Sequence, residues 1–485
     1  MPRARRKASA VFHLTAEYWP FARTGGLGQA VAGLTSFQAG TGLPTTVVVP
    51  LYRAVHQLQP SLEPYGEPLT VAVGPDREEV RVMRLKSGKG RPRVLFIDHP
   101  ASFDRAGIYG EGGADYADNA RRLALFCLAS LELVARESKP GLVVHAHDWH
   151  ASLTPVYLRV THRGRAELDR LPCVLTVHNG GFQGHFGQGD MPALGLPPEL
   201  WALDQMEWYG RLNYLKGGLL YADMVTTVSP THAREICTEV GGFGLHSTFQ
   251  ALGDRLVGIR NGIEKGEWDP AADSEITLRY SADDLSGKAR CKAALQRTWN
   301  LPQSARTPLF GMSARLVAQK GLDLILGDAS LTDADAQFVF LGEGEHRFQT
   351  ALGALAAAHP DRIGANFRFT DRLEHRLLAG SDFLLMPSLY EPCGLTQMRA
   401  QNYGALPVAR RVGGLADTIE DGVTGFLFDG YAPGDFDAAV HRATDAYANP
   451  DAMRKSISTA MRRDFSWQEP CRQYLDVYRR ALERR

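Results

Sequence analysis

Net charge is the first thing this chain lacks: 54 basic residues balance 54 acidic ones along 485 positions. Capture of nucleic acid or of an acidic membrane needs a net or clustered positive surface, so neither partner is expected. Long apolar runs are missing as well, and no stretch approaches the roughly 20 residues that span a bilayer. The basic opening, PRARRK, is short and runs into a strand-like ASAVFHL instead of an apolar signal core. It reads as a solvated tail on a cytoplasmic protein. Cysteine is sparse: Cys127, Cys173, Cys237, Cys291, Cys393 and Cys471 form no CxxC pair. That spacing argues against a zinc cluster and against a disulfide framework, and it suits a reducing compartment. Low-complexity runs and short-period repeats are absent too.

What is present is alternation. Apolar strand patterns begin at Thr45, Val94, Leu142, Cys173, Met224, Leu309, Phe338 and Phe383, with helical patterns between them. Such alternation predicts parallel sheets covered by helices. The length exceeds what one compact core holds, and a polar segment around Asp269 to Asn300 separates two sets of strands. The fold class is therefore α/β, with one Rossmann-like, doubly wound domain over residues 1–265 and another over 266–464. Each half carries a Gly-Gly-Leu turn, at Gly25 and at Gly413, which suggests two similar domains facing across a cleft. In the last segment, 465–485, Tyr474, Leu475, Val477, Tyr478 and Leu482 recur at helical spacing.

The densest chemistry lies between Pro387 and Thr418, PSLYEPCGLTQMRAQNYGALPVARRVGGLADT. An apolar strand, Ser381 to Met386, stops at Pro387, and Gly394 opens a helix whose first amides, on Gly394, Leu395 and Thr396, can point at an anion. Glu391 only accepts hydrogen bonds when ionised. It repels phosphate but suits the hydroxyls of a sugar attached to one. A second strand, Ala405 to Ala409, leads through Arg410 and Arg411 to Gly413 and Gly414. Adjacent strand ends with such turns form the crevice where open parallel sheets bind ligands, so the run reads as a site for a glycosyl nucleotide. Arg315 and Lys320, in SARLVAQKGLDL, stand near another strand end and can neutralise a diphosphate. His178 and Asn179 follow the strand that begins at Cys173, again at a ligand-bearing end.

A metal is not expected. In HAHDWHA, His145 and His147 end a strand while His150 begins a helix, so the three do not converge, and Asp148 reads as a helix cap. Asp333 and Asp335 form an Asp-x-Asp pair, but they precede a strand and read as a solvated loop.

The run from Pro387 resembles the donor-site signature of glycosyltransferase family 5, the bacterial glycogen synthases and plant starch synthases. Seven more segments resemble that family in its own order: PFARTGGLGQAV, YADNARRLALF, HAHDWHA, TVHNGGFQG, LKGGLLYADMVTTVSPTHAREI, GIRNGIEKGEWDPAAD and SARLVAQKGLDL. The resemblance implies the GT-B architecture, with the last helix crossing back to the first domain. It implies retaining transfer of glucose from ADP-glucose to the non-reducing end of an α-1,4-glucan, without a cofactor. It assigns catalysis to Glu391, Arg315, Lys320, His150 and Asp118, although Asp118 also suits a helix cap. It puts Arg23, Gly25, Gly26, Asn179, Asn261, Cys393, Gly394, Leu395, Thr396 and Gly414 beside the donor; no residue is assigned to the acceptor.

The chain departs from the family pattern at several places. Arg23 stands where the family has lysine and Gln29 where it has aspartate; Val412 replaces threonine, Arg260 an apolar residue, and Gly180 to Phe182 a bulkier run. These changes leave room for UDP-glucose or a small acceptor, or for a catalytically weak glucan-binding homologue.

Overall fold

A computed structural model describes residues 7–264, 266–327 and 330–485. The basic opening before Lys7 and Lys265, where the sequence reading ends the first domain, lie outside the described residues. The chain divides into two compact units, Met1–Gly262 with Trp467–Arg485, and Ile263–Ser466.

In the first unit a ten-stranded sheet is parallel from the edge strand Leu256–Gly258 through Met224–Thr227, Cys173–Val177, Leu142–His147, Ala10–Leu14 and Thr45–Pro50 to Arg93–Asp98. It continues antiparallel into Asp76–Leu85. The central strands are buried end to end, as expected of a sheet covered on both faces. Successive residues feed separate clusters: Ala10, Phe12 and Leu14 enter one apolar core, and Val11 enters another with Val143 and Val174.

That second core is closed by the helix Gln468–Glu483, through Tyr474, Val477, Tyr478, Ala481 and Leu482. Leu475, expected on the same face, is exposed. The preceding Trp467 packs so close to the helix Gly26–Gly40 that a Cβ on Gly33 would lie 2.2 Å from the indole nitrogen.

The second unit holds a six-stranded parallel sheet in the order Ile363–Asn366, Gln337–Leu341, Leu309–Ser313, Phe383–Met386, Leu406–Arg410, Phe426–Phe428. Numbered along the unit this is 3-2-1-4-5-6, the doubly wound order of dinucleotide-binding folds. Phe310, Phe338 and Phe383 build one core, while Leu309, Val339 and Leu384 build the other. The strand order reverses between Leu309–Ser313 and Phe383–Met386. In the first unit the matching reversal lies between Ala10–Leu14 and Leu142–His147. Ligand crevices form at such reversals, outside the carboxyl ends of the strands. Asp333 and Asp335, by contrast, precede the strand Gln337–Leu341 and are exposed.

Candidate active site

In the second unit two loops leave the reversal and interlock. Gly321 has φ +75°, and a Cβ there would come within 1.9 Å of the Pro387 carbonyl oxygen, so only glycine lets the loops approach this closely. The Leu389 amide donates to the Gln319 carbonyl (2.9 Å), and the Gln319 side chain donates to the Tyr390 carbonyl (3.1 Å). The result is an ion pair: Lys320 Nζ lies 2.5 Å from Glu391 Oε2, with side-chain exposures of 19% and 8%. Ser388 Oγ donates to the same oxygen at 3.2 Å. Glu391 Oε1 has no hydrogen-bond partner among the described residues.

The second Gly-rich turn braces Glu391 from behind. The Gly414 amide donates to the carbonyls of Glu391 (3.1 Å) and Pro392 (3.2 Å). A Cβ on Gly413, at φ +42°, would sit 1.9 Å from the Glu391 carbonyl oxygen. Gly414, expected beside the donor, thus spends its amide on the backbone of the Glu391 turn.

Gly394 adopts φ +69°, and the helix it was expected to open begins at Thr396. Gln397 Nε2 clamps the turn through the carbonyls of Cys393 (2.9 Å) and Gly394 (3.1 Å). Cys393 is buried, and the half-buried residues Gly394, Leu395 and Thr396 carry amides that precede the first intrahelical bond. Arg315 is exposed, and its guanidinium forms no hydrogen bond or ion pair among the described residues. Arg410 and Arg411 are committed elsewhere. Arg410 holds the Leu389 carbonyl at 2.6 Å, and Arg411 pairs with Asp429 at 2.8 Å.

In the first unit the Gly loop meets a carboxylate of its own chain. Buried Glu17 accepts from the amides of Thr24 (2.8 Å) and Gly25 (3.3 Å), the Thr24 hydroxyl (2.6 Å) and the Tyr109 hydroxyl (2.8 Å). The Gly25 amide is therefore turned inward onto Glu17. Gly26 and Arg23 are exposed.

Asp148, with φ +56°, is no helix cap; its Oδ1 accepts from the amides of His178 (2.6 Å) and Asn179 (3.3 Å). Burial raises its pKa to about 7, and the two amides oppose the rise. His150 is buried between Tyr109, stacked at 4.6 Å, and Trp149, tilted at 4.2 Å. Burial lowers its pKa to about 3, with the nearby His178 and Arg122 acting the same way, and its Nδ1 has no partner among the described residues.

Asp118 occupies the N-cap position of the helix Asn119–Arg136 but makes no cap bond. Its two oxygens take the two terminal nitrogens of Arg105 at 2.6 Å each, and that guanidinium lowers its pKa. Asn261 is buried, and its carbonyl accepts from Arg260 at 3.0 Å. Two positions apart on one strand, His145 and His147 share a face, contrary to the expected divergence. Their rings stack at 4.2 Å, next to His13. Ligand atoms of these three lie within 4.8 Å of one another, but every ring nitrogen already has a hydrogen-bond partner.

The chain matches the family model of the starch synthase catalytic domain over residues 10–251 and that of group 1 glycosyl transferases over 298–463. It is 41% identical to a glycogen synthase of Anaeromyxobacter sp. (strain Fw109-5) over 483 residues, covering 97% of this chain and 98% of that protein. It is 36% identical over 489 residues to a glycogen synthase of Thermodesulfovibrio yellowstonii, covering 97% and 98%. The chain belongs to the glycogen and starch synthase family.

Membership makes it a glycosyltransferase of two α/β domains, the GT-B class. The catalytic domain of starch synthase IV from Arabidopsis thaliana, solved with ADP and acarbose bound, superposes with a TM-score of 0.89 at 31% identity, covering 98% of this chain and 100% of that one. A sucrose-phosphate synthase of Thermosynechococcus elongatus, at TM-score 0.62 and 16% identity, shares the fold. No helix among the described residues is long and apolar enough to cross a membrane.

Nothing local in the sequence pairs Glu391 with Lys320 or points to Glu17 and Tyr109. A carboxylate seven residues before a Gly loop carries no local signal, because its meaning depends on where the loop folds back.

Proposed function

We propose that this protein moves glucose, with retention, from ADP-glucose to the non-reducing end of an α-1,4-glucan, without a metal cofactor. The observation that carries the reading is the Lys320–Glu391 pair at the strand-order reversal of the second unit, in the same unit as the helix-start amides of Gly394, Leu395 and Thr396, which make no hydrogen bond among the described residues, and the exposed Arg315. Arg315, Lys320 and the amides supply positive potential for a diphosphate whose charge grows as the sugar leaves. Glu391 carries its Lys320 bond on Oε2 and keeps Oε1 for sugar hydroxyls.

A carboxylate held this way is a poor nucleophile. The reading therefore assigns retention to attack on the departing face, with the leaving phosphate oxygen taking the acceptor proton. His150, held neutral, serves as a hydrogen-bonding group beside the sugar and not as an acid. The ADP bound to the similar starch synthase supports an adenine donor. The six cysteines form no disulfide among the described residues, which supports a cytoplasmic setting.

The test is nucleotide release with glycogen as acceptor, from ADP-glucose and UDP-glucose in parallel. ADP release well above UDP release is expected. Faster release from UDP-glucose would overturn the donor, and glycogen binding with no release from either would favour a non-catalytic glucan-binding homologue.

A further inference from the structure

Four histidines occupy places in the first unit's sheet where apolar residues are the rule. His13, His145 and His147 lie in core strands and are fully buried, and His178 follows the strand Cys173–Val177. A line of hydrogen bonds joins three of them to Gln38 on the helix Gly26–Gly40. Gln38 Oε1 is 2.8 Å from His13 Nε2, His13 Nδ1 is 3.0 Å from His147 Nε2, and His147 Nδ1 is 3.0 Å from His178 Nε2. A second arm leaves the same amide. Gln38 Nε2 donates to the Tyr478 hydroxyl at 3.0 Å, which lies 2.9 Å from His145 Nδ1. His145 Nε2 is 2.6 Å from Thr176 Oγ1, itself 2.6 Å from Thr226 Oγ1.

Burial holds these rings neutral: it lowers His13 to about 4 and His178 to about 3, and lowers His145 and His147 in the same direction. A neutral imidazole carries one N–H, so each ring donates from one nitrogen and accepts at the other. The oxygen of Gln38 only accepts. His13 must then carry its proton on Nε2, which makes Nδ1 an acceptor for His147 Nε2–H. By the same step His147 Nδ1 accepts from His178 Nε2–H. One amide thus orients every hydrogen bond along the line. At the far end His178 Nδ1 is left without a proton, and it has no partner among the described residues. The His178 backbone is held by Asp148 next to Asn179, at the carboxyl ends of the adjacent strands Leu142–His147 and Cys173–Val177.

We propose that Gln38 is a positioning residue: through His13 and His147 it holds His178 in the Nε2–H tautomer, so that Nδ1 accepts a hydrogen bond from a hydroxyl of the sugar substrate. The last clause rests on the glucosyltransferase reading, whereas the tautomer assignment stands on the hydrogen bonds, the orientation of the Gln38 amide and the neutrality of the buried rings.

The test uses the full chain labelled with ¹⁵N-histidine, with tautomers read from two-bond ¹H–¹⁵N correlations and turnover measured on saturating ADP-glucose and glycogen. Four proteins are compared: the parent, Gln38→Met, Gln38→Glu and Thr226→Val. In the parent, His13, His147 and His178 are expected as Nε2–H. Gln38→Met has no acceptor, so His178 should populate both tautomers and kcat should fall about 10-fold or more, as wrong-tautomer histidines do. Gln38→Glu still only accepts on the His13 arm and should keep both the tautomer and most of the turnover. Thr226→Val removes a buried hydrogen bond from the other arm. It should lower the unfolding midpoint while leaving His178 and kcat within about twofold of the parent, which a purely structural network would not do.

An Nδ1–H His178 in the parent would overturn the proposal even if the Met variant failed to fold. So would an unchanged tautomer in Gln38→Met, or a mixed tautomer with unchanged kcat. A parent that shows the expected tautomers yet releases no nucleotide would sink the glucosyltransferase reading and leave the tautomer assignment standing.

Discussion

Consider removing the charge on Glu391 while keeping its shape, as Glu391→Gln, with Lys320→Met and the double variant alongside. The pair is separated by 2.5 Å, and its members are 8% and 19% exposed, so it lies between two well-characterised limits. Exposed ion pairs contribute up to about 1 kcal/mol, and breaking a buried one costs about 3–5 kcal/mol because a charge is left unpaired. Each single variant should therefore lose about 2 kcal/mol of unfolding free energy. The double variant should lose less than the sum, by about 1–2 kcal/mol, the coupling of groups in direct contact. Urea titration of the four proteins gives that cycle.

Kinetics separates the functional part. If Oε1 orients the sugar, Glu391→Gln should cost about 100-fold or more in kcat, roughly 3 kcal/mol of transition-state stabilisation. Calorimetry with ADP should show affinity unchanged or raised, since a carboxylate has gone from beside the diphosphate cations. Lys320→Met should instead weaken ADP. Near-normal turnover in Glu391→Gln would remove the residue from the site. A coupling below about 0.5 kcal/mol would refute the ion pair as an energetic unit.

Transfer should persist in excess EDTA if, as proposed, Arg315 and Lys320 take the place of a divalent cation; loss restored by magnesium or manganese would defeat that. Arg23→Ala should depress turnover strongly with ADP binding nearly intact, and Arg23→Lys should stay active, since Arg23 belongs to the first unit and the two cations to the second; parent-like turnover in Arg23→Ala would leave the loop a structural turn. Acid should destabilise the fold below pH 6.5. His13, His150 and His178 have folded pKa values of about 4, 3 and 3, so at pH 5 the unfolded chain binds three protons that the native chain does not. Asp148, raised to about 7, binds one more proton in the native chain and opposes them. These four groups alone give a net uptake of about two protons, so stability falls by roughly 3 kcal/mol per pH unit around pH 5; His145 and His147, lowered in the same direction, steepen the fall, and unfolding free energies flat between pH 5 and 6 would contradict it.

By itself the sequence determined the local features. Strand positions such as Leu309–Ser313 and Phe383–Met386 follow from short apolar runs, and Gly321, Gly394 and Gly413 mark turns that only their backbone freedom permits. Chemical type was legible too: Arg315, Lys320 and Glu391 stand near strand ends, where the proposed function puts a diphosphate and a sugar, although most such cations and carboxylates are simply solvated. What the tertiary structure alone decided is which of these groups meet. Lys320 and Glu391 are 71 positions apart and touch because the strand order brings the first and fourth strands of the second unit side by side. In the first unit the pairing of Leu142–His147 with Cys173–Val177 sets Asp148 against the amides of His178 and Asn179. Glu17 fills the Gly-loop amides, and Arg410 and Arg411 are drawn onto Leu389 and Asp429. Turn chemistry and periodicity act over a few residues. Pairing of buried charges depends on sheet order, which no window along the chain contains.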